Sequence, residues 1–237
     1  LALCLAIAWA ALSIALSLRW LADLAEIVSF PAALIIIGFI AYVPGFMNAF
    51  MIGTILLDRR PPHAPPAVYP PVSILVACFN EALNIGDTLN SLAAQDYPGP
   101  FEIIVLNDGS GDDTALFAAR AIGRLKARSR GEFRLMNFEV NAGKSAVLNR
   151  GLSFAAHDLV ATVDGDCWLR TDALRRIVER MLADPPLTEA VAGAVLVRNS
   201  RRNILTRAQE WDYFHGIAAV KRMQSMYHGT LVAQGAF

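Results

Sequence analysis

A long apolar segment at the start of the chain limits what it can fold into. Residues 1–18 contain no charged side chain and would extend about 27 Å as a helix, close to the hydrocarbon thickness of a bilayer. A second apolar stretch, 27–57, follows after a short loop at 19–26. A cleaved signal peptide would lead directly into a soluble domain, so we expect two transmembrane helices instead.

The residues in and after the second apolar stretch predict its shape and orientation. Pro31 and Pro44 predict a kinked or tilted helix, and Arg59 and Arg60 follow the stretch directly. Because basic residues collect on the cytoplasmic side of a membrane, the chain beyond this pair should lie in the cytoplasm. We therefore expect a multi-pass protein of the cell inner membrane, anchored by residues 1–57.

The remainder of the chain has the composition of a soluble domain. Over the whole chain the 21 basic and 21 acidic residues balance, so net charge gives no reason to expect nucleic-acid binding. The three cysteines are too far apart to match a disulfide framework or a zinc site, so we expect them to be reduced. A proline-rich segment at 58–71 predicts a stiff linker, which leaves 72–237 as one domain.

Short β-branched runs alternate with helical patterns after the linker. This alternation predicts an α/β fold with a mainly parallel sheet and helices on both faces, in which ligands bind beyond the carboxyl ends of the strands. A separate aromatic helical pattern covers 204–227. The predicted strands are 72–78, 101–106, 133–138, 158–163 and 190–197. The predicted helices are 81–94 with Asn80 as its N-cap, 114–128, 144–155 and 172–182.

Two acids, Asp164 and Asp166, follow a hydrophobic predicted strand. Carboxylates side by side repel each other unless a cation neutralises them. Mg²⁺ and Mn²⁺ take oxygen ligands and bridge to diphosphate oxygens, so the pair predicts a site for one of them. A surface turn capped by Asp164 is the alternative, and the adjacent Cys167 is interpreted as a packing residue.

Three weaker polar clusters follow other predicted strands, at 77–81, 107–110 and 141–145. Each has a purely structural explanation, namely a helix cap at Asn80, an Asx turn and a solvated Lys144. The third cluster also lacks the spacing of a phosphate loop. Together with the acid pair, however, four clusters at successive strand ends are what one bound nucleoside diphosphate would use.

These motifs in combination resemble the processive membrane glycosyltransferases of family 2, which have the GT-A fold. The resemblance covers about 72–237 and is strongest to the poly-N-acetylglucosamine synthases and their chitin-oligosaccharide and hyaluronan relatives. The motifs that carry it lie at 76–81, 95–98, 105–110, 113–114, 141–144, 148–151, 164–166 and 209–213.

The resemblance implies transfer of a sugar, with inversion, from a UDP-sugar to the hydroxyl of a growing glycan. UDP-N-acetylglucosamine is the expected donor, and the bilayer is the expected surroundings of the anchor. By this resemblance Ala77 and Glu81 would line the nucleotide site, Asp108 would contact the uridine, and Lys144 would lie near it.

The same resemblance implies that Asp164 and Asp166 form the metal–diphosphate motif, with Mg²⁺ or Mn²⁺ as cofactor. Asp164 would also belong to the nucleotide-sugar site. The chain departs from the family pattern at Asn107, where members usually have a first acid. The acceptor motif is present only as 233–237. We expect the general base and the Gln-x-x-Arg-Trp motif beyond Phe237, in a longer chain, so no catalytic base is assigned here.

Two other functions stay open from the sequence. A transferase that acts on a lipid or polyprenyl-phosphate acceptor would use the same nucleotide-binding part of the domain. A nucleotide-binding module without turnover would also explain the clusters, whereas a mere scaffold would leave the acids at the strand ends unexplained.

Overall fold

The structure, a computed structural model, describes residues 1–58, 65–184 and 187–227. Among the described residues the chain divides into two compact units. The first unit takes in 1–58 and 195–227, and the second takes in 65–184 and 187–194.

Some predictions fall outside the described residues. The basic pair that begins at Arg59, part of the proline-rich segment and the acceptor motif at 233–237 all do so. The division into an anchor at 1–57, a linker at 58–71 and a domain at 72–237 stays a prediction.

The elements of the described chain are helices and parallel strands. In chain order the helices are α1 (Ala2–Val28), α2 (Phe30–Ile37), α3 (Val43–Leu56), α4 (Ile85–Ala93), α5 (Thr114–Leu125), α6 (Lys144–Leu152), α7 (Ala173–Ala183), α8 (Ile204–Tyr213) and α9 (Val220–Met226). π-Helical segments at Gly38–Tyr42 and Phe214–Ala219 join α2 to α3 and α8 to α9. The strands are β1 (Val72–Cys78), β2 (Phe101–Asp108), β3 (Glu132–Phe138) and β4 (Leu159–Asp164).

Two long helical segments open the first unit. Ala2–Val28 and Phe30–Leu56 are both long and apolar enough to cross a membrane, by length and composition. The loop predicted at 19–26 is wrong, because α1 continues through these residues to Val28. The break comes instead at Ser29, whose φ of +88° turns the chain between α1 and α2.

Small residues lie where α1 and α3 pack against each other. A Cβ added at Gly53 would lie 3.6 Å from the Leu5 side chain and 3.7 Å from the Ala2 backbone. The Ser17 and Tyr42 hydroxyl groups are hydrogen-bonded at 2.6 Å, which adds a polar link between the two segments. Small residues and hydroxyl pairs are the contacts that hold helices together in lipid, where apolar side chains gain little by meeting.

The second unit is built on one parallel sheet with the strand order β3-β2-β1-β4. Val72 of β1 pairs with Phe101 of β2 and with Leu159 of β4, so the three strands begin level with one another. Ala77 pairs with Asp164 at the other end. The register therefore aligns the carboxyl ends of the strands along one edge of the sheet.

Helices cover both faces of this sheet, as predicted for the α/β GT-A fold. Ile74 and Val76 of β1 face a core that includes Leu89 of α4 and Leu174 of α7. The alternate residue Leu75 faces the other side, where Val147 of α6 packs. Burying one such aliphatic side chain contributes roughly 1.5–3 kcal/mol, so this alternation fixes which face each helix covers.

The strand predicted at 190–197 is wrong. These residues belong to the described part of the chain and form no strand there, so β4 is an outer strand of the sheet in this structure. The segment is rich in alanine and contains Gly193, and such small side chains bury little surface against a sheet. The helical pattern predicted at 204–227 is confirmed by α8 and α9.

Candidate functional site

The candidate site residues lie along the carboxyl edge of the sheet. Ala77 and Asp164 are opposite each other at the ends of β1 and β4, and Asp108 ends β2. Glu81 follows β1, and Lys144 is the first residue of α6 after β3. The structure thus brings together the four polar clusters that the sequence placed after successive strands.

The loop after β1 is held by the loop after β2 through backbone groups. The Asn80 N–H donates to Ser110 Oγ at 3.0 Å, and Asn80 Oδ1 accepts the Gly111 N–H at 2.9 Å. The Glu81 N–H donates to Thr114 Oγ1 at 2.8 Å. The prediction that Asn80 caps the next helix is wrong, because its φ is +56° and Asn84 precedes α4 instead.

The side chain of Asp112 adds to this link. Its carboxylate accepts the N–H groups of Ala82 at 3.2 Å and Thr114 at 3.0 Å, together with the Thr114 hydroxyl. These hydrogen bonds, the Thr114 hydroxyl first among them, lower the pKa of the Asp112 carboxyl below its ordinary value. The Glu81 carboxylate accepts a hydrogen bond from Asn84 Nδ2 at 2.7 Å.

Asp108 is buried and binds the loop before α6. Its Oδ1 accepts the Ala142 N–H at 3.0 Å and its Oδ2 accepts the Gly143 N–H at 2.8 Å. The following residue, Gly109, has a φ of +67°, and a Cβ there would lie 2.6 Å from the backbone nitrogen of Asn141. The loops at 80–82, 107–114 and 140–143 are therefore one hydrogen-bonded set, called here the interlocked loops.

Asn107 has a structural contact at the position where the first acid of the resembled motif is missing. Its Nδ2 donates to Asn137 Oδ1 of β3 at 3.1 Å, and its Oδ1 accepts a hydrogen bond from Ser110. An amide can make both contacts, since it carries donors and an acceptor, whereas a carboxylate offers acceptors alone. The substitution of the acid by asparagine thus fits its neighbours.

The turn at 164–166, called here the acid turn, is fixed through its glycine. The Gly165 N–H donates to the Ala77 carbonyl at 2.9 Å, and the Gly165 carbonyl accepts the Thr88 hydroxyl at 2.8 Å. A Cβ at Gly165 would lie 2.7 Å from the Cβ of Cys78, so a larger residue does not fit. The carboxylates on either side stay accessible: Asp166 is exposed, and Asp164 is half-buried and forms an ion pair with Lys144.

Comparison with known proteins agrees with this geometry. Residues 73–237 match the profile of the family described as "Glycosyl transferase family 2". The chain belongs to glycosyltransferase family 2.

Curated relatives of this glycosyltransferase carry a more specific name. The chain is 35% identical over 166 residues to the "Poly-beta-1,6-N-acetyl-D-glucosamine synthase" of Staphylococcus epidermidis and 33% identical over 166 residues to that of Staphylococcus aureus strain COL. Each match covers 70% of this chain and 38% of the relative. The chain therefore spans well under half the length of the curated relatives it matches.

Solved glycosyltransferase structures are also similar to this chain. The mannosyltransferase PcManGT of Pyrobaculum calidifontis, solved with GDP-Man and Mn²⁺, is 27% identical with a TM-score of 0.49, over 62% of this chain and 46% of that one. TarS 1–349 of S. aureus, solved with UDP-GlcNAc, is 24% identical with a TM-score of 0.40, over 54% of this chain and 41% of that one.

The donor atoms at the acid turn fit a hard divalent cation. One ligand atom from each of Asp164, Asp166 and Cys167 lies within 4.8 Å of the others. Two of these atoms are carboxylate oxygens, the type that Mg²⁺ and Mn²⁺ prefer. Burial, followed by the neighbouring Asp166, raises the pKa of the Cys167 thiol to about 11, and a protonated thiol is a poor ligand for a hard ion.

Polar side chains in α4 and just after it support the segment after the acid turn, and sequence reasoning missed these contacts. Ser91 Oγ accepts the Leu169 N–H at 3.0 Å. The buried Gln95 amide accepts the Leu174 N–H at 2.9 Å and donates to the Arg170 carbonyl at 2.8 Å. The available signal was the spacing of Thr88 and Ser91 along one otherwise apolar face of α4, with Gln95 two residues after the helix ends.

Proposed function

We propose that this glycosyltransferase binds a UDP-sugar at the carboxyl edge of the sheet and transfers the sugar, with inversion, to a growing polysaccharide. The donor proposed is UDP-N-acetylglucosamine, because the curated relatives are named for a polymer of that sugar. The observation that carries the proposal is the convergence of Asp108, Lys144 and the acid turn at one edge.

Each candidate residue has a proposed role in holding the donor. Ala77 and Glu81 line the nucleotide site, and Asp108 contacts the uridine. Both Asp108 oxygens already accept a loop N–H, but a carboxylate oxygen has a second acceptor site that a uracil N–H would use. Lys144 is paired with Asp164 at the acid turn, and it is the proposed contact of a phosphate oxygen when the donor binds.

Asp164 and Asp166 are the proposed ligands of Mg²⁺ or Mn²⁺. The cation would supply positive charge against the diphosphate, which gains negative charge as it leaves the sugar. In the reaction the acceptor hydroxyl oxygen forms a bond to the anomeric carbon, the bond from that carbon to the diphosphate oxygen breaks, and UDP leaves. The acid turn acts on the leaving-group side of this displacement.

The proposed setting is the cell inner membrane, with the site in the cytoplasm. Two helical segments, Ala2–Val28 and Phe30–Leu56, support membrane association, because their large apolar side chains are mostly exposed. The basic pair that follows the second segment in the sequence supports the cytoplasmic orientation. A reporter enzyme active only outside the cytoplasm, fused after residue 57, should stay inactive.

Calorimetric titration of the purified chain with UDP tests the donor site. We expect at least about tenfold tighter binding with Mn²⁺ than with chelator, since a cation removes the repulsion between the acid turn and the diphosphate. Asp166→Asn should remove most of this metal-dependent gain. Asp158→Asn is the matched control, because Asp158 is exposed just before β4, at the opposite edge of the sheet.

The two halves of the proposal fail in different ways. Equal UDP affinity with Mn²⁺ and with chelator would reject the metal role. Competition among UDP-N-acetylglucosamine, UDP-glucose and GDP-mannose tests the donor, and equal affinity for all three would reject the proposed base and sugar.

A further inference from the structure

Lys144 and Asp164 form an ion pair although 20 residues separate them in sequence. Lys144 begins α6 and Asp164 ends β4, and their side chains are 48% and 31% exposed. The pair is therefore reachable by solvent and by ligands. It places a single positive charge on one of the two carboxylates that would hold a divalent cation.

The backbone that carries Lys144 is fixed, whereas its side chain has room to move. Asp108 binds the two preceding N–H groups, and Gly143 adopts a φ of +87° directly before the helix. The lysine side chain is nearly half exposed, and its charge is carried on a flexible four-carbon stem. A change of partner by Nζ would thus need no rearrangement of the interlocked loops.

Charge balance at the acid turn decides where Lys144 can stay. A lysine ammonium on Asp164 neutralises part of the negative charge and repels a divalent cation that arrives alone. A diphosphate that arrives with the cation brings negative oxygens to the same place. Those oxygens attract an ammonium group more strongly than a carboxylate that already shares its charge with a metal.

We propose that Lys144 is an exchangeable counter-cation, which holds Asp164 in the free protein and transfers to the diphosphate when metal and nucleotide bind together. This inference rests on the proposed metal and nucleotide function. Its consequence is that Lys144 opposes binding of the metal alone and favours binding of the metal with UDP. Metal and nucleotide therefore bind cooperatively, through one side chain.

The test measures Mn²⁺ binding alone by electron paramagnetic resonance, and UDP binding in saturating Mn²⁺ by calorimetry. In Lys144→Met we expect Mn²⁺ alone to bind about tenfold tighter and UDP to bind about tenfold weaker, because one positive charge has left the turn. Lys144→Arg keeps the positive charge, so both affinities should shift less than in Lys144→Met. Lys126→Met removes a lysine just after α5 and should change neither affinity.

The outcomes separate the inference from the function it rests on. The inference is overturned if Mn²⁺ alone binds Lys144→Met no tighter than wild type, while Asp166→Asn still removes the metal-dependent UDP affinity. If Asp166→Asn has no effect on UDP binding in Mn²⁺, the proposed metal site is wrong and the inference is overturned with it. Matching circular dichroism spectra of the variants would show that the fold is intact.

Discussion

The interlocked loops and the acid turn lie at the same edge of the sheet but are held in different ways. In the interlocked loops, buried Asp108 and its neighbours are engaged with backbone N–H groups of adjacent loops. In the acid turn, hydrogen bonds to neighbouring elements fix the central glycine, whereas the Asp166 carboxylate is exposed and the Asp164 carboxylate pairs with Lys144. The first region is thus held in one arrangement by its own hydrogen bonds, and the second keeps two carboxylates accessible.

The strongest way to break this contrast is to force the interlocked loops apart. Gly109→Ala would place a Cβ 2.6 Å from the Asn141 nitrogen and 2.8 Å from the Val140 carbonyl carbon, in a backbone with φ of +67°. We expect the free energy of unfolding to fall by about 3 kcal/mol, because neither backbone atom can move aside cheaply. Chemical denaturation measures this loss.

Gly111→Ala is the matched control on the same loop. A Cβ at Gly111 meets no atom within 4 Å, so its stability should stay within about 0.5 kcal/mol of wild type. Equal losses of stability in the two variants would mean that the close contact of Gly109 with the loop before α6 does not cause the destabilisation.

Asp108→Asn should separate the two regions by their response to metal. The amide keeps one acceptor but turns an NH₂ group toward a loop N–H, which leaves a buried donor unsatisfied at a cost of about 1–3 kcal/mol. We expect UDP affinity to fall about tenfold in Mn²⁺ and equally in chelator. Calorimetry in both buffers checks this, with the exposed Asp113→Asn as control. A loss seen in Mn²⁺ alone would place Asp108 with the acid turn instead.

Acid should loosen the interlocked loops through Asp112. Its pKa is lowered in the folded chain, so the stability it contributes is complete above the unfolded pKa of about 3.9 and is lost as the pH falls through the lower folded value. Asp112→Asn should therefore show a shallower fall of melting temperature as the pH drops below about 4. An unchanged slope would mean that other carboxyl groups carry the acid response.

The smallest expected effect tests whether Cys167 belongs to the metal ligands of the acid turn. Cys167→Ala should change Mn²⁺-dependent UDP affinity by less than about twofold, because its thiol is protonated at neutral pH and two carboxylates supply the hard ligands. The same titration checks it. A tenfold loss would show that the sulfur is a ligand.

The sequence was sufficient to predict the four strands of the sheet and the edge at which the candidate residues lie. Runs such as 72–78 and 101–106 are apolar and rich in β-branched residues. Their alternation with helices predicts a parallel sheet. The prediction of 190–197 as a strand fails because pairing depends on what the strand buries, and small side chains bury little. The break at Ser29 was missed as well. Ser29 is uncharged, and the charged residues at 19–26 led to a loop being predicted there instead.

Contacts between loops were beyond sequence reasoning. Asp108 lies 34 residues before Ala142, and no local pattern shows that its carboxylate accepts that N–H. The same holds for Asn80, which has a cap-like neighbourhood but turns its amide oxygen to Gly111, 31 residues away. Both follow from the sheet register, which sets distant strand ends beside each other.

The Gln95 amide has a consequence for which residues the chain can accept at that position. Its oxygen accepts one backbone N–H while its nitrogen donates to the carbonyls of Ser91 and Arg170, all in a buried setting. Glutamate has the same shape but no protons to give at neutral pH, and methionine has the length without either function. Of these three side chains only glutamine can accept the Leu174 N–H and also donate to the two carbonyls, so we expect neither glutamate nor methionine to replace it without loss of stability.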